Sequence, residues 1–592
     1  MTAASRRPRP RARSVRSRRS FFRLRVSILC IGFILSLFAA RLFQLQGVDA
    51  NAYASMAEDE GTQTVELHAS RGAILDRNGF ELASTVDAVA MTADPTMTAD
   101  NATRIAAILQ RHLGLDYFDT VTQLRAPDTR FVYLARRVPM WKSNEVMTAL
   151  DRANLVGVFT ERDPLRTYPD GDAASNLVGV VGAEGEGLSG LEYEYDDLLA
   201  GVDGHATYLL APSGERIPLS DATVDEPEPG VGLQTTIDRD VQWMAERRLT
   251  RAVRDTGSDW GSAVTIDVRT GEVVQFSQYP GFDPNQVGSL DEDDMVNRGA
   301  QYVYEPGSVE KVLTYSAVAD AGEVTPRTRI EVPGSYYVDG YEINDDWSHG
   351  TIRLTATGAI AMSSNLAAIL VSQRISAREL HGYLQSFGLG ERTGIGLPGE
   401  SAGILADYRS WSDSQHATIA FGQGLSVTAI QMAAALATVA NDGVYVEPSL
   451  VTGYVQPDGS VEAAPEPETR RVISEEAAEM VAKMMTATTQ DGGTAPLAAI
   501  PGYRVAGKTG TAQRVDQDTL GYVPGQRTIS FAGFAPADDP RFLTYVVLDN
   551  PKDGSFGGTG AGPVFHDIMS MVLQRYGIAP TGAKPVRIPL EW

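Results

Sequence analysis

The stretch from Leu24 to Leu45, LRVSILCIGFILSLFAARLFQL, constrains this chain more than any other. Its uncharged core, Val26 to Ala40, falls short of the roughly 20 residues that a membrane span needs. Arg25 and Arg41 stand near its ends, and both side chains can snorkel to the interfaces and extend the span. A basic region before an apolar core also describes a cleaved signal peptide. Phe38, however, occupies the place where the first small residue of a cleavage site belongs, so an uncleaved anchor over 24–45 is expected. Ten arginines within the first 25 residues predict a cytoplasmic basic tail over 1–23. Everything from about residue 47 onward is then outside the membrane, where no ATP is available to drive chemistry.

Charge is divided along the same line. The chain carries −24 overall, residues 1–48 hold eleven Arg and no acid, and residues 49–592 therefore carry −35. A body that acidic repels nucleic acid. The single cysteine, Cys30, lies in the apolar stretch, so the exported part forms no disulfide. Seven scattered His, without HExxH or CxxC, give no metal-ligand spacing, and neither a metal nor a cofactor is expected. Only six of the 51 basic residues are Lys: 142, 311, 483, 508, 552 and 584. A position that stays Lys in an arginine-rich chain raises the question of whether the proton must leave, because arginine does not release one in a protein.

The 592 residues suggest two or three domains. Residues 49–230 read as mixed α/β, with a turn at Asn78-Gly79 and helical spacing over 101–114 and 143–153. The Pro- and acid-rich DEPEPGVG (225–232) marks a domain edge. Beyond it, 262–278 alternates as two strands about Thr270-Gly271 and 425–443 is an alanine-rich helix stopped by Asn-Asp-Gly. Strand-like runs at 502–513, 527–534 and 541–549 precede an amphipathic helix over 563–576. Strands at both ends of a helical middle predict an α+β sheet closed by the two ends of the domain. GEGLSG (185–190) fits G-x-G-x-x-G, but a dinucleotide site also requires a following helix, a ribose-binding acid and a compartment that holds the cofactor; a glycine-rich turn is the expectation.

Ser308, in EPGSVEKV, is the one serine in the chain with a lysine three positions later, Lys311. Three residues are close to one helical turn, so the two side chains share a face. Pro306-Gly307 sets Ser308 at a helix N-terminus, whose free N–H groups favour a developing negative charge. Taken alone, S-x-x-K also describes a plain helix start. Ser363-Ser364-Asn365 interrupts an apolar helical stretch 55 residues on, and Lys508-Thr509-Gly510-Thr511 follows 145 residues after Ser363, on a strand-like segment where Gly510 admits a close backbone. The ordered set S-x-x-K, S-x-N, K-T-G is the signature of active-site serine penicillin-recognising enzymes. A serine hydroxyl needs a base, and lysine serves only when neutral. Moving its pKa from about 10.4 to about 7 takes about 4.6 kcal/mol, which burial and a second cation, with Lys508 the candidate, can supply.

From Arg71 to about Ile578 the chain resembles the class B high-molecular-weight penicillin-binding proteins, single-pass D,D-transpeptidases of peptidoglycan synthesis. RGAILDRNG, RTYPDGDAASNLVG (166–179) and GLSGLEYEYDDLLAG (187–201) resemble the family's pedestal motifs. TIDRDVQ, YPGFDPN, NRGAQYVYEPGSVEK, FGQGLSVTAIQMA and AGKTGTAQ resemble its catalytic domain. The resemblance implies an α+β fold: a transmembrane helix, an elongated α/β pedestal over 49–230, and a transpeptidase domain over 231–578 with a five-stranded antiparallel sheet between helices, then a tail over 579–592. It implies that Ser308 forms the acyl-enzyme, Lys311 activates it, Ser363 relays protons, and Asn365 binds the substrate amide and Lys311. Lys508 supplies charge, Thr509 and Thr511 hold the terminal carboxylate beside Gly510, and the N–H groups of Ser308 and Thr511 form an oxyanion hole. The donor would be a stem peptide ending in D-Ala-D-Ala, with β-lactams as inhibitors and a membrane glycan polymerase of the SEDS type as partner, alongside other division proteins. Val309-Glu310 stands where many relatives have Thr-Phe.

The basic tail and FVYLARRV (131–138) are more similar to the septal, division-specific branch, with an elongation-specific enzyme as the alternative. A β-lactamase would need a base for a deacylating water; no E-x-x-L-N follows Ser308, and the first 180 exported residues would have no role. One terminal anchor gives a β-lactam sensor little signalling machinery, and intact Ser308, Lys311 and Lys508 argue against a non-catalytic scaffold.

Overall fold

The computed structural model describes residues 17–45, 62–209, 223–515, 521–581 and 587–592; most of the basic tail lies outside them. Helix α1 spans Ser17–Phe43 and so begins inside the stretch assigned to the tail, as straight-chain Arg side chains readily continue a helix. Its segment Phe21–Phe43 is long and apolar enough to cross a membrane. The chain divides into two compact units, Met1–Leu67 with Asp203–Pro227, and His68–Val202 with Glu228–Trp592. The first contains a three-stranded antiparallel sheet in which Gly204–Leu209 lies between Thr62–Leu67 and Thr223–Asp225.

In the second unit, strands Val132–Pro139, Ala88–Ala93 and Val158–Arg162 form an antiparallel sheet under helices Ala102–Leu113 and Met140–Arg152. Met91, Ile105, Leu109, Val146 and Leu150 close the core between them. The three pedestal-like motifs meet at one buried carboxylate. Glu192 Oε2 accepts from Arg71 Nε at 2.6 Å, and its Oε1 accepts from Arg166 Nε at 2.7 Å and from the Tyr168 hydroxyl at 3.4 Å. GEGLSG folds here as a turn: a Cβ on Gly187 would lie 2.0 Å from the carbonyl oxygen of Glu192.

The boundary expected near residue 230 is crossed by a sheet. Gly232–Thr235 pairs on one side with Ile74–Leu75 and on the other with Val451–Val455, joining six strands from both expected domains. A two-residue strand such as Ile74–Leu75 holds no sheet alone, so this neighbourhood fixes the start of RGAILDRNG. The expected tail over 579–592 likewise returns to the body. Thr355 N donates to Leu590 O at 2.9 Å, and the Trp592 ring lies beneath the guanidinium groups of Arg329 and Arg353.

The catalytic-type fold begins at α2 (Arg239–Thr256), capped by the Asp238 carboxylate on the N–H groups of Asp240 and Val241. Strands β1 (Trp260–Asp267) and β2 (Val273–Tyr279) follow, then α3 (Lys311–Asp320), α4 (Ala356–Ala361), α5 (Asn365–Ser372) and α6 (Ala429–Ala440). Strands β3 (Ala506–Val515), β4 (Tyr522–Ala535) and β5 (Phe542–Asp549) complete an antiparallel sheet ordered β2-β1-β5-β4-β3, and α7 (Gly562–Arg575) ends the domain. All eight residues of β5 are buried, because both faces are covered. Phe542, Val546 and Leu548 meet α2 and α7 through Val241, Leu249, Phe565 and Ile568. Leu543, Tyr545 and Val547 join the helical core that includes Met432 and Leu436 of α6. First and last strands thus sit side by side, as the order of elements predicts, and β3 is left as an edge.

Candidate active site

The edge strand β3 and the N-terminus of α3 form the two walls of a cleft of about 540 Å³. Ser308 lies in a single 3₁₀ turn, Gly307–Val309, that runs into α3. The turn is clamped by close backbone approaches: a Cβ on Gly510 would lie 2.7 Å from a Val309 methyl, and one on Gly422 would lie 2.0 Å from Gly307 O. Gly307 N donates to Gly422 O at 3.0 Å, and Glu305 accepts from Gly424 N at 2.8 Å, so the Gly-Gln-Gly loop of FGQGLSV braces the serine turn.

Lys311 Nζ lies 2.9 Å from Ser308 Oγ, 2.6 Å from Ser363 O, 3.3 Å from Ser363 Oγ and 2.7 Å from Asn365 Oδ1. Ser363 and Asn365 reach this point because the apolar stretch breaks between α4 and α5. Ser363 takes φ +63°, and Ser364 caps α5 by accepting from Ala367 N. Lys508, on β3, donates to Ser363 Oγ at 2.7 Å and to Thr509 O at 3.0 Å. The two amines are therefore bridged by one hydroxyl.

Both lysine side chains are wholly buried. Burial pushes Lys311 down to about 8, against the opposing charges of Asp345, Asp346 and Glu310. Burial, and then the charge on Lys311, pushes Lys508 well below the ordinary lysine range. Burial, rather than Lys508, is thus the chief cause at Lys311, and two cations in one dry site cannot both persist. Glu310, in the unusual Val309-Glu310 pair, is buried with, among the described residues, only the Thr314 hydroxyl on its carboxyl, and burial pushes it up to about 8.

Ser308, Asn365 and Thr511 line the cleft, with Glu342 and Asp346 on one lip and Arg527 with Phe556 on the other. Gly510 lies behind Thr511, against the serine turn. Thr509 does not line the cleft: it is buried, and its hydroxyl lies 3.0 Å from that of Thr494 and 3.5 Å from Lys508 Nζ. The sequence motifs did not reveal Asp345, whose carboxylate takes the N–H groups of Asn365 and Leu366. Its one signal is an Asp pair 20 residues before Asn365, and that spacing has no local period.

Family profiles match the chain over both parts, the penicillin binding protein transpeptidase domain over residues 261–570 and the penicillin-binding protein dimerisation domain over 66–235. The penicillin-binding protein PbpB of Mycolicibacterium smegmatis is 37% identical, over 95% of this chain and 92% of its own length. The chain belongs to the class B penicillin-binding proteins. This member is also 30% identical to the peptidoglycan D,D-transpeptidase FtsI of Escherichia coli, over 98% of this chain and 96% of that one. Penicillin-binding protein 3 of Mycobacterium tuberculosis, solved in complex with aztreonam, superposes with a TM-score of 0.70 at 33% identity, over 89% of this chain and 100% of that one. This penicillin-binding protein is membrane-anchored, with α1 as its candidate span.

Proposed function

We propose that this protein is a penicillin-sensitive peptidoglycan D,D-transpeptidase of septal cell-wall synthesis that works through a Ser308 acyl-enzyme. The observation that carries the mechanism is the surroundings of Lys311 Nζ. Two of its near neighbours, Ser363 O and Asn365 Oδ1, can only accept hydrogen bonds. A neutral amine donates to these two and directs its lone pair at Ser308 Oγ, 2.9 Å away.

The donor is a stem peptide ending in D-Ala-D-Ala. Its terminal carboxylate enters beside Thr511, with Lys508 behind; Thr509 completes this anchor only by turning from Thr494. The carboxylate favours the shared proton on Lys508 and leaves Lys311 free. Ser308 Oγ attacks the penultimate carbonyl as Lys311 takes its proton, and the N–H groups of Ser308 and Thr511 hold the oxyanion. The C–N bond breaks, and the D-alanine amine leaves with a proton passed from Lys311 through Ser363. An acceptor stem-peptide amine, beside Asn365, attacks the ester and gives up its proton by the same route, which restores the Ser308 hydroxyl. A β-lactam acylates Ser308 in the same way.

The arginine-rich end faces the cytoplasm and the catalytic domain lies outside the membrane. The enzyme extends no glycan, so a SEDS-type polymerase and other membrane proteins of the division machinery are its partners. The similarity of FVYLARRV to the septal branch supports that assignment; from Val132 the stretch lies on strand Val132–Pro139 of the pedestal. Labelling with a fluorescent penicillin tests the reading: a long-lived adduct that Ser308→Ala removes is expected. Rapid turnover of the adduct would make the protein a β-lactamase, and no adduct would make it a scaffold.

A further inference from the structure

The turn that carries Ser363 and Asn365 is held by a residue outside all three motifs. The Asp345 side chain is closed to solvent, and the side chain of its partner His349 is 7% exposed. Asp345 Oδ1 accepts from Asn365 N at 2.5 Å and Leu366 N at 3.0 Å. Oδ2 accepts from Ser364 Oγ at 2.7 Å and faces His349 Nε2 at 3.0 Å, while His349 Nδ1 lies against Gly350 O. Three of these four bonds come from the consecutive residues 364–366, directly after Ser363 with its φ of +63°. A residue with a Cβ keeps that conformation when its surroundings impose it. Asn365 then presents Oδ1 to Lys311 Nζ at 2.7 Å, and Ser363 bridges Lys311 to Lys508.

We infer that Asp345 is a positioning residue of this active site: its carboxylate locks residues 363–365 against Lys311, and its charge sets how readily Lys311 releases a proton. This rests on the transpeptidase reading above. The charged groups around Lys311 are Lys508, reached through Ser363, and the carboxyls of Asp345, Asp346 and Glu310. Among the three acids Asp345 opposes the loss of the Lys311 proton most strongly. Asp346 is exposed and screened by water, whereas Asp345 is both dry and bonded to the turn.

The test is the rate constant of acylation by a fluorescent penicillin, measured on the full chain between about pH 6 and 10. Asp345→Asn keeps the shape: the amide oxygen still accepts from Asn365 and Leu366, and its NH₂ meets Ser364 and His349. Its limiting rate is expected within about threefold of wild type, with the pH midpoint moved downward, because the charge that kept Lys311 protonated is gone. Asp345→Ala frees the turn, and its limiting rate is expected to fall about 100-fold. A midpoint unmoved in Asp345→Asn overturns the inference even if the Ala variant does not fold. A folded Asp345→Ala that acylates at the wild-type rate overturns it as well. A wild-type protein that takes no label overturns the transpeptidase reading instead.

Discussion

Two buried clusters in the same unit each hold two basic side chains, and they are built to opposite ends. Around Glu192, two guanidinium groups share one carboxylate in near-complete burial, with Arg71 also donating to Glu192 O at 2.7 Å and Arg166 to Gly72 O at 2.8 Å. Around Ser363, Lys311 and Lys508 are equally buried, yet among the described residues neither ammonium bonds a carboxylate. Arginine keeps its proton and presents a fixed fork, so the first cluster ties three chain segments together. Lysine loses its proton when dry, so the second gives up binding partners and gains a base. The difference shows that burial of charge serves a joint where it is compensated and chemistry where it is not.

Exchanging the side chain at the heart of the second cluster breaks the contrast most severely. Lys311→Arg puts a permanent cation where a base is required, and acylation by a fluorescent penicillin is expected to fall by roughly 10² to 10⁴. A thermal melt shows whether the fold survives, and normal labelling of the folded variant would remove lysine from the role. In the first cluster, Glu192→Gln leaves the buried Arg166 guanidinium without a counter-charge among the described residues and Arg71 with Asp196 alone, and should cost about 3 kcal/mol of stability. Urea unfolding measures this, and a variant as stable as wild type would show that the pedestal joint is held by packing alone. The molecules that stay folded should acylate normally, since Glu192 touches nothing in the cleft.

Neutralising the second cluster should act with the opposite sign. Lys311→Met removes a buried amine whose pKa lies at about 8 against an ordinary 10.5, a burial cost on the order of 3 kcal/mol. The folded value is depressed, so the unfolded chain binds the extra proton between pH 8 and 10.5, and wild-type stability rises across that window. Lys311→Met is therefore expected to be more stable by about 2 kcal/mol below pH 8, with the gap closing toward pH 10.5. An unfolding series over pH that found no gap would mean that water reaches the lysine.

The second cluster was legible in the sequence and the first was not, for a physical reason. Ser308 and Lys311 lie one helical turn apart, and local spacing alone brings them together. Ser363, Asn365 and Lys508 came from ordered motifs, in which a polar break in an apolar run and a glycine in a strand are visible residue by residue. Arg71, Arg166 and Glu192 also sit in recognisable stretches, but their meeting spans 121 residues from Arg71 to Glu192 and depends on sheet pairing. Asp345 and the return of Leu590 to Thr355 are of this kind too. The strands of the main sheet could be read from alternation and apolar runs, and the closing of its first strand on its last from their order along the chain, whereas the edge position of the Lys508 strand came only with the pairing. The sheet that joins 232–235 to 74–75 and 451–455 could not, because two- to five-residue strands carry too little pattern.

The smallest expected change asks whether Lys508 differs from the arginines of the first cluster at all. Lys508→Arg keeps a cation beside Ser363 and keeps it permanently. If Lys508 acts only as charge, acylation should fall by about tenfold through the imperfect fit of a larger group in a fully closed space. The permanent cation also disfavours a proton on Lys311, so the pH at which acylation reaches half its limit should move below the wild-type midpoint near 8. A rate profile over pH separates these two effects, since fit changes the plateau and charge changes the midpoint. A variant as inactive as Lys311→Arg, with a midpoint unmoved, would mean that Lys508 itself must exchange its proton with Ser363. The second cluster would then be a two-base relay, and the contrast with the arginine joint would rest on both lysines.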